Sequence, residues 1–285
     1  MEKIALITDS ASDISIELLN ENNIKLLPFK VIYSDKEYDD RIDITPQMMY
    51  ERLKEEIPKT SLPSIEKMIN TLKEVIAEGY THAIIITISA AFSGTYNAMR
   101  LVCEDFPEIK TFVFDSKTLT MAEGAMVLET AELIKEGKSY KEIIEILPTY
   151  REKIDLFFTI DTLEYLQKGG RIGRVAGTIG DLLNLKPIIT VAEDGTYRTA
   201  AKVRGSKQSV SKLTDIFKTY LEKGKYKAWI LDGNGFDKVQ NLYESIKDLP
   251  NVVECTITGT IGPALGVNTG PGLVGLAIES VDTIN

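Results

Sequence analysis

The chain has 285 residues, 44% hydrophobic and 26% charged, the balance of a soluble globular protein long enough for one large domain or two ordinary ones. Its 33 basic and 42 acidic residues give a formal net charge of −9, which argues against nucleic acid, or an anionic membrane, as a general partner. Two cysteines, Cys103 and Cys255, make no disulfide framework; no metal-ligand spacing occurs; and the single histidine, His82, excludes histidine-dependent triads and multi-histidine metal sites.

The first residues, Met-Glu-Lys-Ile-Ala-Leu-Ile-Thr-Asp, enter a strand at once with no signal-peptide pattern, so a cytoplasmic protein is expected. Strands are predicted at Ile4–Thr8, Lys25–Val31, Ala83–Ile88 and Thr111–Phe114. Between them, Thr45-Pro46 supplies a cap and first-turn proline for a helix running toward Ile57. Further helices are predicted at Ser64–Glu78, at Leu119–Glu136 with Gly137 as its stop, and at Tyr140–Lys153. The last opens with Ser139 and Glu142 at capping-box spacing. Strands separated by helices imply a parallel sheet covered on both faces, with ligands beyond the carboxyl ends of its strands.

The second half reads differently. Strands are predicted at Asp155–Ile160, Pro187–Val191, Tyr197–Lys202, Lys227–Leu231, Val252–Thr258 and Val274–Glu279, and Asp194-Gly195 marks an antiparallel hairpin. Helices at Lys207–Lys223 and Phe236–Lys247 cover one face. The expected fold is therefore α/β with two domains: an N-terminal parallel-sheet α/β/α domain over residues 1–155 and a C-terminal mixed-sheet α+β domain over 156–285. The uncharged run Cys255–Ile278 holds six glycines and two prolines, so it reads as a glycine-rich loop between strands and not as a membrane span.

Four stations of polar residues follow strands or open helices. The first is Thr8-Asp9-Ser10-Ala11-Ser12-Asp13, where Asp13 or Ser12 is expected to cap the next helix and Asp9, a carboxylate at a strand end, to order a loop or a ligand. The second is Thr60-Ser61-Leu62-Pro63-Ser64, with Ser61 adequate as a cap. The third is the most informative stretch, Ile84–Ile88 emptying into Ser89 and then Ser93-Gly94-Thr95. Hydroxyls, a glycine and a helix start offer neutral donors to an oxyanion, and no charge lies between His82 and Arg100. Helix capping by Ser93 and Thr95 is the structural alternative. The fourth is Gly259–Gly272, which matches neither the dinucleotide nor the P-loop pattern. In addition, Lys168-Gly169-Gly170-Arg171-Ile172-Gly173-Arg174 is a basic loop within an acidic protein, with a solvated turn as its plainest reading.

In this order, together with Phe114-Asp115-Ser116, Thr162-Leu163-Glu164-Tyr165-Leu166 and Leu185-Lys186-Pro187, these segments resemble the DegV family along essentially the whole chain. That is the family of bacterial fatty-acid-binding proteins that work with a fatty acid kinase. The resemblance implies a long-chain fatty acid held between two α/β domains. Its carboxylate would be gripped by Thr60 or Ser61, by the Ser93-Gly94-Thr95 turn, and by Asn268 and Thr269 of the glycine-rich loop. Asp9, Ser10, Asp115 and Ser116 would order the site, and Arg171 and Arg174 would dock the kinase. By the same resemblance the protein takes fatty acid from a transient membrane-surface contact, presents it to the kinase catalytic subunit, and carries the acyl-phosphate to phospholipid synthesis. It would act as a lipid-binding carrier and not as an enzyme, without cofactor or metal. One departure is Asn268, where members often have histidine; asparagine offers a neutral N–H and no titrating group. The competing readings are a transferase or hydrolase of phosphorylated small molecules built on Asp9 and Asp115, which would need Mg²⁺ ligands, and a regulatory module whose ligand only signals.

Overall fold

The β-branched and apolar run of the N-terminus makes a strand (β1, Ile4–Asp9) of which five of six residues are buried. The computed structural model describes residues 2–178 and 185–281. They divide into two compact units, Met1–Thr45 with Pro58–Glu152, and Pro46–Ile57 with Lys153–Asn285.

In the first unit β1 is followed by α1 (Ile16–Glu21), β2 (Ile24–Leu27), β3 (Lys30–Ile32) and β4 (Glu37–Asp39). A helix that belongs to the second unit, α2 (Pro46–Arg52), intervenes before β5 (Lys59–Ser61). Then come α3 (Ile65–Ala77), β6 (His82–Thr87), α4 (Thr95–Glu104), β7 (Lys110–Asp115), α5 (Met121–Lys135) and α6 (Tyr140–Arg151). The main sheet has the order β2-β1-β6-β7 and is parallel throughout. One face buries Ala5, Ile7, Ala83 and Ile85 against Met68, Leu72 and Val75 of α3 and Met99 and Val102 of α4. Each such side chain contributes roughly 1.5–3 kcal/mol when fully buried, Ala less. The opposite face of β1 and β6 receives α5, which is buried on nearly all sides of its first two turns.

Several local expectations are corrected. The stretch Lys25–Val31 is two strands, because Pro28 has no N–H to continue the ladder; β3 instead joins β4 and β5 in a small antiparallel sheet of order β4-β3-β5. Neither Ser12 nor Asp13 caps α1. Asp9 caps a 3₁₀ turn at Ser10–Ser12, Asp13 sits in the left-handed region at φ 55°, and Ser15 caps α1. Ser61 lies in β5, and Ser64 caps α3. The capping box of Ser139 and Glu142 is formed as expected.

The second unit contains α2, β8 (Ile154–Thr159), α7 (Glu164–Lys168), a 3₁₀ turn (Gly173–Thr178), β9 (Leu185–Val191), β10 (Tyr197–Arg204) and α8 (Ser206–Leu221). It continues with β11 (Tyr226–Gly233), α9 (Phe236–Ile246), β12 (Val252–Thr260), α10 (Pro263–Thr269) and β13 (Leu273–Ser280). The sheet order is β10-β9-β8-β13-β11-β12, with β11 and β12 parallel and every other pair antiparallel. Leu213, Phe217 and Leu221 of α8 and Val239, Leu242 and Ile246 of α9 pack on Phe157, Ile230, Leu276 and Ile278 of the sheet. The architecture is thus the expected α/β class, with a parallel-sheet N-terminal unit and a mixed-sheet C-terminal one. The contiguous division 1–155 and 156–285 differs from it at residues 46–57. There α2 sets Met49 and Tyr50 against Gly266 of α10, so closely that a Cβ at 266 would stand 2.2 Å from Met49 Cε. The glycine-rich stretch is also not wholly loop, since Pro263 opens α10 at its first turn. Among the described residues, no helix is long and apolar enough to cross a membrane.

Candidate functional site

The carboxyl ends of β1, β6 and β7 come together in the first unit. The segment leaving β6 gives up three successive backbone N–H groups to them. Ile88 N donates to Asp9 Oδ2 at 2.9 Å, Ser89 N to the Thr118 carbonyl at 2.8 Å, and Ala90 N to Asp115 Oδ1 at 3.0 Å. The loop then closes on itself, with Phe92 N and Ser93 N donating to the Ser89 carbonyl at 2.9 and 3.2 Å. It delivers Ser93 and Thr95 side by side, their hydroxyl oxygens 2.8 Å apart, with Thr95 N also donating to Ser93 Oγ at 3.3 Å. Neither hydroxyl is the helix cap. Gly94 occupies that position, without a side-chain capping bond, so the first turn of α4 opens beside two hydroxyls with no side chain across it. Leu62 Cδ2 would meet a Cβ at Gly94 at 3.5 Å, which brings the strand end carrying Thr60 and Ser61 to the same place. Thr60 is half-buried in β5, and the exposed Ser61 donates to the Leu62 carbonyl at 3.2 Å.

The other two ordering candidates are internal. Ser10 Oγ donates to Asp40 Oδ2 at 2.6 Å and accepts from Phe29 N at 3.0 Å, tying the end of β1 to neighbouring chain. Ser116 is buried and accepts from Thr118 N, while its carbonyl accepts from Arg151 Nε at 2.7 Å. Asp9 accepts from Ala11 N at 3.0 Å in addition to Ile88 N. Its burial outweighs these two bonds and raises its carboxyl to about 7. Glu123 of α5 is fully buried too; Thr8 Oγ1 donates to its Oε1 at 3.3 Å, and Oε2 has no partner. Burial, and then the charge of Asp9, push the Glu123 carboxyl well above the usual carboxylate range. The sequence contained a sign of this residue, an acid inside the apolar run Met121-Ala122-Glu123-Gly124-Ala125-Met126, but it was not read as part of a site.

In the second unit the basic loop and the glycine-rich segment interlock. A Cβ at Gly169 would lie 2.2 Å from Asn268 Oδ1, one at Gly270 2.2 Å from the Tyr165 ring, and one at Gly272 2.1 Å from Asp161 Oδ2. Gly270 and Gly272 have φ of +70° and +92°, so both contact and backbone demand glycine. Asp161 holds Lys238 Nζ on both oxygens, at 2.8 and 2.7 Å. This was a strand-end carboxylate of the same kind as Asp9, and sequence reasoning passed over it. Asn268 Nδ2 donates to the Ala264 carbonyl at 3.0 Å, and Thr269 Oγ1 to the Leu265 carbonyl at 3.2 Å, each one turn back along α10. Arg171 donates to the Gly169 carbonyl at 2.6 Å, and Arg174 pairs with Asp194.

Chemically, the loop after β6 offers neutral donors, and the segments meeting in the second unit an amide, a hydroxyl and two guanidinium groups. Among the described residues no cluster of three or more histidine, cysteine or carboxylate side chains is arranged to hold a metal. His82 stands at the start of β6, 4.7 Å from the Tyr140 ring centroid and 3.7 Å from Glu2, at the opposite end of that strand from the hydroxyl loop.

Comparison with known proteins finds the family described as "Uncharacterised protein, DegV family" matching residues 3–281. A DegV domain-containing protein of Clostridium perfringens is 48% identical over 279 residues, 98% of this chain and 99% of that protein. Among solved structures, a fatty-acid-binding DegV family protein from Thermus thermophilus superposes with a TM-score of 0.90 at 31% identity, covering 98% of this chain and all of that one. A stearic-acid-binding protein from Eubacterium ventriosum superposes at 0.85 and 28% identity, covering 98% of each chain.

Proposed function

The chain belongs to the DegV family, and from that membership we propose that it binds a long-chain fatty acid and serves as the lipid carrier for a separate ATP-dependent kinase. The observation that carries this reading is the uncharged loop at 88–95. Asp9 and Asp115 fix its backbone, and it sets the half-buried Ser93 hydroxyl, hydrogen-bonded to the buried Thr95, at a helix start whose N-cap is Gly94. Burying fourteen or so methylenes contributes roughly 11 kcal/mol at ~0.8 kcal/mol each. Stripping water from the carboxylate would cancel much of that without hydrogen-bond donors, for which Ser93, Thr95, Thr60 or Ser61 and the amide of Asn268 are the candidates. In this cycle the carrier loads at a membrane surface, the kinase recognises the loop bearing Arg171, and the acyl-phosphate leaves toward phospholipid synthesis.

The competing reading, a transferase or hydrolase of phosphorylated small molecules built on Asp9 and Asp115, is the less favoured one. Asp115 Oδ1 accepts the N–H groups of Ala90 and Lys117, and Asp9 those of Ile88 and Ala11, so both carboxylates are occupied in holding backbone. The test is denaturing mass spectrometry of the purified protein. A carrier releases fatty acid near one equivalent; repeated absence of lipid, with no uptake of added oleate or stearate, would reject the reading.

A further inference from the structure

Three carboxylic side chains around the end of β1, Asp9, Asp40 and Glu123, have no exposed surface; Asp40 accepts from Ser10 Oγ at 2.6 Å, and Asp9 and Glu123 form a neighbouring pair. Their surroundings are unequal. Asp9 has a backbone N–H on each oxygen, Ala11 on Oδ1 and Ile88 on Oδ2. Glu123 has the Thr8 hydroxyl at 3.3 Å on Oε1 and nothing on Oε2, which is buried. The charged groups around them come from several elements, and most are acidic: Asp13 after the 3₁₀ turn, Asp40 after β4 and Asp115 at the end of β7. Arg41 is spent on Asp13 at 2.7 Å, and Arg151 of α6 on the Ser116 and Lys117 carbonyls. Two neighbouring carboxyls without a cation cannot both ionise cheaply, and hydrogen bonds from N–H groups favour the charged form of the one that receives them.

We propose that Glu123 is held as the neutral acid and Asp9 as the charged member, and that this pair positions the hydroxyl loop through Ile88. Asp9 carries the Ile88 N–H at the root of the turn that ends in Ser93 and Thr95, and the proton on Glu123 keeps a second charge from forming beneath it. The ranking of the two acids agrees, Asp9 being raised to about 7 and Glu123 well above its ordinary value. The consequence for the loop is pH dependence. As pH rises through 7 Asp9 ionises fully, its bond to Ile88 becomes charge-assisted, and the loop tightens. The role given to the loop rests on the lipid-carrier reading; the charge assignment does not.

The experiment is carboxyl ¹³C NMR on the full chain, labelled at aspartate and glutamate, from pH 5.5 to 9, for the wild type, Glu123→Gln and Asp9→Asn. The glutamate signal missing from Glu123→Gln should keep its protonated position after the Asp9 signal has titrated. The Asp9 signal should titrate near neutrality, with a midpoint that Glu123→Gln leaves in place, and the Ile88 amide shift should follow it. Glu123→Gln should also raise the melting temperature at pH 7.5, because its unfolded chain no longer gains by ionising there. A Glu123 signal titrating in the ordinary glutamate range, or a lower Asp9 midpoint in Glu123→Gln, would overturn the assignment. An Ile88 amide that ignores the Asp9 midpoint would overturn the positioning role. Should Asp9→Asn not fold, wild type and Glu123→Gln decide the matter alone. Absence of fatty acid from the wild type would strike the carrier reading and leave these titrations standing.

Discussion

Ser93 and Thr95 share a hydrogen bond of 2.8 Å in a stretch of seventeen residues without a charge, and that pairing determines what either hydroxyl can do next. One hydroxyl proton satisfies the other oxygen, leaving the second proton to point at a ligand oxygen. Ser93→Ala is therefore expected to weaken fatty acid binding by ~1.5–3 kcal/mol, roughly ten- to a hundredfold, since the lost bond is to a charged group. Thr95 is buried and its N–H loses an acceptor at 3.3 Å, so a modest fall in melting temperature should accompany the loss of affinity. Titrating labelled oleate beside a thermal melt checks this, and a large drop in melting temperature with unchanged affinity would make Ser93 structural. Of this residue-scale picture, the hydroxyls and Asp9 were legible in the sequence because they sit where a strand ends. The donors to Asp9 were not, because Ile88 is 79 positions away and only the parallel register of β1 with β6 makes them neighbours.

The contact of α7 and its following turn with α10 is the element whose rigidity matters most in the second unit. Three glycines stand where side chains of the facing segment leave no room for a Cβ, and they do so for different reasons. Gly270→Ala would face both φ of +70° and the Tyr165 ring, so a loss of ~1–3 kcal/mol from backbone strain alone is expected, seen as a melting temperature several degrees lower. Gly169→Ala meets the Asn268 amide oxygen and, at 3.2 Å, the Tyr165 carbonyl, in a backbone region open to alanine; the amide can turn away at the expense of its bond to the Ala264 carbonyl. The substitution should cost little stability and instead turn the Asn268 side chain away, weakening lipid binding. Calorimetry and a binding assay on the pair separate these outcomes; equal melting temperatures for the two variants would contradict the strain argument. α10 itself escaped the sequence reading because Gly266, inside it, weighs ~1 kcal/mol against a helix. Gly266 instead leaves room for the close approach of Met49 and Tyr50, a cause that no local pattern carries.

For the whole molecule, stability against pH follows from the buried acids. Asp9, at about 7 when folded against an unfolded value near 4, binds its proton more tightly in the folded state. Its contribution is therefore complete in acid and is lost as pH rises from about 4 to 7, by an amount on the order of 4 kcal/mol. Glu123, also raised, acts in the same direction. Exposed acids such as Glu142 and Asp194, held below their usual range by hydrogen bonds, act oppositely and only below about pH 4.5. Melting temperature is expected to be highest near pH 5 and to decline toward pH 8, with Asp9→Asn flattening the decline. A melting temperature that climbs through this interval would show that Asp9 is not a raised acid. At the level of partners, Arg171→Ala should load fatty acid normally and support little acyl-phosphate formation with the cognate kinase, and Arg171→Lys should recover part, since lysine lacks the planar fork. Loss of lipid by Arg171→Ala would move the residue into the binding site, and full kinase turnover would remove it from the docking surface.

Local sequence was enough for what depends on neighbours along the chain. The alternation of strands and helices, the capping box at Ser139, the hairpin at Asp194-Gly195 and the proline-opened helix at residue 46 each rest on hydrogen bonds or backbone preferences spanning a few residues. The ordered motifs likewise sufficed to suggest the family, which the comparisons establish. Tertiary structure alone decided the rest. It assigned residues 46–57 to the second unit through Met49 and Tyr50, split Lys25–Val31 between two sheets, and joined the Asn268 loop to the Arg171 turn through Gly169. It also put Glu123 under Thr8, with Oε2 buried and without a partner. Close packing and desolvation bring together residues far apart in sequence, and neither the space for a Cβ nor the cost of a buried charge is set until those partners have met.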